Sequence, residues 1–66
     1  MTLSEHIKQK RKENGLSQVE LAERAGVGIR FVRDLEQGKK TLRMDKVNDV
    51  LILFGESLAP TKTNIL

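Results

Sequence analysis

Residues 16–38 read LSQVELAERAGVGIRFVRDLEQG, two helix-length phrases hinged on Ala25, Gly26 and Val27. The first opens on Ser17-Gln18-Val19-Glu20, a capping-box pattern in which the serine hydroxyl accepts an orphan N–H of the first turn and the glutamate reaches back to the cap. Leu21, Ala22 and Ala25 follow as the stripe to be buried. Gly26 stops the helix, because a positive φ is open to glycine and resisted by any residue with a Cβ. The second phrase, Gly28 to Gln37, sets Val32 and Leu35 three apart on an inward face, with Phe31 partly inside. Gly38 closes it.

The small side chains at Ala22 and Ala25 let the two helices approach closely, with Val27 apolar in the turn between them. Two short helices joined by a three- or four-residue turn containing glycine make a helix-turn-helix, whose second helix can enter the major groove of DNA. Upstream, residues 4–14 form a helix with Leu3 and Ile7 on one face, Arg11 next along it, and Lys8, Lys10 and Lys12 in solvent. Downstream, a last helix runs from Arg43 or Met44 to Phe54 with Met44, Val47, Leu51 and Phe54 inward. The run VLILF (residues 50–54) has the branched residues of a strand, yet it continues the helical spacing begun at Met44. That leaves Val50, Ile52, Leu53 and Leu58 as a second apolar surface, which predicts a two-fold homodimer. Glycines at 15, 26, 28, 38 and 55 divide the rest into pieces of helical length. The expected architecture is all-α: one compact domain of four to five helices over residues 1–58, with the helix-turn-helix at about 17–37 and a flexible tail at 59–66.

Residues 16–39 resemble the Xre, or Cro/CI-type, helix-turn-helix regulators, and the likeness extends over about residues 3–55. Within that family, GVGIRFVRDLEQGK followed by TLRMDKVNDVL is similar to the HipB-like antitoxins. The resemblance implies a sequence-specific repressor that binds double-stranded DNA at a pseudo-palindromic operator, and an antitoxin partnered by a HipA-type kinase toxin. It implies that Gln18 contacts phosphate or orients a neighbour, and that Gly28, Ile29, Arg30 and Arg33 face the groove. Lys39, Lys40 and Arg43 would anchor the DNA backbone. Gly28 departs from the pattern, standing where many relatives place a Ser, Thr or Asn cap. Arg11 and Glu36 would pair as scaffold, and the segment ESLA (residues 56–59) could add a short strand at the dimer interface before Pro60 ends it. Chemistry agrees for the arginines: three apart, Arg30 and Arg33 share a face away from Val32 and Leu35, and an arginine fork matches O6 and N7 of guanine.

The composition narrows the alternatives. The chain has 66 residues, no Cys and one His, so neither a disulfide nor a zinc site can staple a domain this small. A net charge of +3 and a pI near 9.6 suit a polyanionic partner. No signal-like or membrane-spanning run occurs, which predicts a cytoplasmic, nucleoid-associated protein with no membrane partner. His6 reads as solvent-exposed, without the oriented partner an acid–base or nucleophilic role needs, and no glycine-rich phosphate loop is present. The expectation is a protein without cofactor, metal or catalytic residues. A solitary regulator without a toxin is the alternative. An interaction module that has lost DNA binding stands behind it, because Arg30 and Arg33 weigh against it.

Overall fold

A computed structural model describes residues 1–60 and contains four helices: α1 (Leu3–Glu13), α2 (Gln18–Ala25), α3 (Ile29–Glu36) and α4 (Met44–Leu53). No strand and no fifth helix occurs among the described residues, and residues 56–60 run as irregular chain. Residues 61–66 of the expected tail lie outside the described residues. The all-α expectation holds, and VLILF is helical through Leu53.

Helix α3 packs on both α1 and α2, while α2 also packs on α4. Their shared core holds Ile7, Leu16, Leu21, Ala22, Val32, Leu35, Val47, Val50 and Leu51. Leu16 is a core residue that the stripe pattern missed, because it precedes its helix. It stands one residue before the Ser17 cap, with Leu21 four residues beyond that cap, the spacing of a hydrophobic staple.

The stripe of α4 corrects the sequence reading. Val47, Val50 and Leu51 face inward and Met44 is 52% exposed. Met44 is the first residue of its helix, and Cβ atoms lean toward the helix N-terminus, so its side chain overhangs the core rather than entering it. Val50, expected on a dimer surface, is 0% exposed in the core of the single chain. Phe54 packs only partly.

Each helix ends in the same way. Gly15, Gly26, Gly38 and Gly55 have positive φ, and the amide of the residue after each reaches back to a carbonyl five residues earlier: Leu16 to Arg11, Val27 to Ala22, Lys39 to Asp34 and Glu56 to Leu51. At Gly26 this turn matters most. Its φ of 73° reverses the chain within two residues and sets the angle at which α3 leaves α2.

The capping box forms as read. Ser17 Oγ accepts from the Glu20 amide at 3.0 Å, and the Ser17 amide donates to Glu20 Oε1 at 3.0 Å. The bond from the Ser17 amide first, and the Ser17 hydroxyl after it, hold the Glu20 carboxyl below the usual carboxylate range. Its share of the cap is complete above the carboxylate's unfolded pKa and is lost as pH falls through the folded one. Replacing Ser17 by Ala is expected to cost about 1 kcal/mol and lower Tm by about 4–8 °C, measured by thermal circular dichroism. A change of under 1 °C would show the cap to be energetically idle.

Candidate nucleic-acid interface

The turn at Gly26 leads from α2 into α3, and the two helices pack on each other. Val32 and Leu35 are turned into the core, and Arg30 and Arg33 are exposed on the opposite side of α3. Neither arginine is in an ion pair among the described residues. Both guanidinium forks are therefore open to an acceptor from outside the chain. Residues 28–43 carry five basic side chains (Arg30, Arg33, Lys39, Lys40 and Arg43) against two acidic ones (Asp34 and Glu36), which concentrates the charge excess on this side.

Three hydrogen bonds to Glu36 hold the end of α3 in place. Arg11 Nε donates to Glu36 Oε2 at 2.7 Å and Nη2 to Glu36 Oε1 at 3.0 Å, a bidentate pair. The third guanidinium donor, Nη1, reaches the Leu16 carbonyl at 2.9 Å. The pair's side chains are only 12% and 3% exposed. The hydrogen bonds and charge of Glu36 raise the Arg11 pKa against the lowering effect of burial, so the guanidinium stays fully charged. Gln18 Nε2 adds a bond to Glu36 Oε1 at 3.3 Å. One carboxylate thus ties the end of α3 to α1 and to the first turn of α2. Of the two roles considered for Gln18, orienting a neighbour is the one visible here.

The other sequence-derived candidates divide. Gly28 caps α3 through its backbone with no side-chain bond, and a Cβ built there meets nothing within 4 Å. Ile29 is half-buried and packs against the core, so only part of its side chain is left for a groove. Lys40 is exposed and outside any ion pair of the described residues. Lys39 and Arg43 are different. Lys39 Nζ lies 3.5 Å from Asp34 Oδ2, and Arg43 grips Asp45 with Nη2 at 2.7 Å and Nε at 3.2 Å. Sequence reasoning missed both carboxylates. The Asp34 to Lys39 approach depends on the turn at Gly38, and Asp45 is only two residues from Arg43.

At and beyond the end of α4, Ile52, Leu53 and Leu58 stay 58%, 37% and 41% exposed, while Val50 does not join them. Leu58 is positioned by its amide, which donates to Asn48 Oδ1 at 2.9 Å. His6, expected to lack a partner, meets Glu56 Oε1 through Nε2 at 2.7 Å and fastens the chain after α4 to α1. It is half-buried rather than free in solvent. No group of three or more His, Cys, Asp or Glu among the described residues could hold a metal ion, and no helix there is long and apolar enough to cross a membrane.

Two comparisons bear on this arrangement. A family model described as helix-turn-helix matches residues 7–60, which takes in all of α2, α3 and α4 and the core-facing part of α1. A protein of Sinorhizobium fredii named as an uncharacterized HTH-type transcriptional regulator is 54% identical over 48 residues. That alignment covers 73% of this chain and 63% of the relative, so the chain spans less than two thirds of that protein's length.

Proposed function

Because the chain belongs to the helix-turn-helix family, we propose that it is a sequence-specific, DNA-binding transcriptional repressor that acts as a homodimer in the cytoplasm, and not an enzyme. The observation that carries the reading is the pair Arg30 and Arg33, open on the outer face of a helix whose inner face is locked by Val32, Leu35 and Glu36. A fork held on a rigid helix loses little freedom on meeting a guanine edge, and it reads a base where a flexible cation would only find a phosphate. Selection of duplexes from a random library by the wild-type protein tests the proposal. Enrichment of a pseudo-palindrome with half-sites about 34 Å apart supports it, because two recognition helices of a two-fold dimer meet successive major grooves on one side of the duplex. A library that returns no common sequence would sink it.

Dimerisation is assigned to Ile52, Leu53 and Leu58, three apolar side chains left in solvent by a chain that already has a complete core. Ile52→Glu changes a side chain that is more than half exposed, so the fold survives while an apolar interface gains two buried charges. Sedimentation equilibrium at tens of micromolar is expected to show a wild-type dimer and a monomeric variant. A variant that stays dimeric places the interface elsewhere.

The antitoxin role rests on the resemblance of residues 26–51 to HipB-like proteins. It calls for a HipA-type kinase that co-purifies and alters operator binding. Gel shifts that are identical with and without a co-purifying protein favour the solitary regulator, and loss of all DNA binding favours an interaction module.

A further inference from the structure

Five cations line the proposed DNA-facing side, and two of them arrive already neutralised. Lys39 faces Asp34 across 3.5 Å, and Arg43 holds Asp45 through two parallel N–H bonds, the geometry with which an arginine grips a phosphate. Arg30, Arg33 and Lys40 form no ion pair among the described residues, although Asp34 stands on the same helix as the two arginines. Two of the open cations stand on α3, whereas Lys40 and both neutralised ones lie in or at the edges of the following loop. In a helix-turn-helix the recognition helix meets base edges, and contacts outside the groove go to the sugar–phosphate backbone.

Resting on the DNA-binding reading above, we infer that Asp34 and Asp45 are specificity-determining residues, internal counter-anions that suppress sequence-independent attraction to phosphate while leaving the base-reading arginines unopposed. Ion pairs at the surface such as these contribute little to stability. Their effect on DNA binding is larger. A free lysine meeting a phosphate releases about 0.9 of a condensed counterion, the source of nearly all non-specific affinity. A lysine that must leave Asp34 to do so abandons a carboxylate beside a polyanion, and the gain is cancelled in part by that repulsion. Asp45 is set still more firmly: the Arg43 bonds foremost hold its carboxyl below the usual range, and it stands in the first turn of α4, where negative charge is favoured. The expected result is a protein whose salt dependence counts about two fewer phosphates per protomer than it would with Lys39 and Arg43 unpaired, and whose preference for its own site over random DNA is correspondingly sharper.

The test uses the full chain and a random-sequence 24-base-pair duplex, with affinity read by fluorescence anisotropy between 50 and 200 mM KCl. Asp34→Asn is expected to tighten binding by up to about tenfold at 50 mM and to steepen the slope of log K against log salt by about 0.9 per protomer. Asp34→Asn combined with Lys39→Gln is expected to return the slope to the wild-type value, and Lys39→Gln alone to move it little. Glu13→Gln, the same charge change at the end of α1, serves as the control for net charge. If Asp34→Asn and Glu13→Gln act alike, or if Lys39→Gln alone flattens the slope by a full 0.9, Asp34 is no counter-anion and the inference fails while DNA binding stands. If the wild type binds no duplex at 50 mM, the DNA reading fails and takes this inference with it.

Discussion

Glu36→Ala is expected to be the most destabilising single change in the protein, removing about a third or more of its stability. The carboxylate is 3% exposed and takes hydrogen bonds from two Arg11 nitrogens and from Gln18. Its removal strands a guanidinium that is only 12% exposed, and breaking a buried pair by deleting one partner costs about 3–5 kcal/mol. A domain of this length holds roughly 3–10 kcal/mol in total, so the variant loses from about a third of its stability to all of it. Urea titration followed by far-ultraviolet circular dichroism reads the loss directly. The paired replacement of Arg11 by Met and Glu36 by Leu removes both charges and keeps the volume, and is expected to recover most of the stability. A single variant within 1 kcal/mol of wild type would mean that the pair is incidental to the fold.

Arg33→Ala carries the second large effect, on binding rather than folding, since its side chain is exposed and makes no ion pair among the described residues. Loss of a bidentate contact to a base costs about 1–3 kcal/mol, and a palindrome read by a two-fold dimer doubles it. On the selected site the affinity is expected to fall by roughly 30-fold to more than 10⁴-fold, and on a scrambled duplex by no more than the value of a phosphate contact. Arg30→Ala follows the same pattern with a smaller loss, Arg33 standing at the middle of the exposed face of α3. Equal losses on both duplexes would make the two arginines anchors and shift base reading to another part of α3.

The helices were legible because their boundaries are written locally. Ser17 and Glu20 announce a start three residues apart, glycines mark every stop, and both signals act within one turn of chain. The Arg11 to Glu36 pair was legible only through family likeness, since 25 residues separate its members. What escaped was set by rotation and by approach across the fold. The face α4 buries depends on where its first turn sits against α2, and that moved Val50 inward and Met44 out. His6 meets Glu56 only after α4 has brought the chain back to α1. Lys39 and Arg43 read as free cations because charge counted along a sequence does not reveal which carboxylate a turn will place beside it.

The glycine turns that close all four helices also bear on how quickly the chain finds its fold. Each stop is a bond spanning five residues, so every helix is delimited by contacts that form without waiting for distant parts of the chain. Short loops then leave little closure entropy to overcome before Ile7, Leu21 and Leu35 meet. Helical domains of such low contact order reach the native state in about microseconds to milliseconds. For a chain of this size the consequence is kinetic: a newly made copy spends little time with its apolar core open to aggregation.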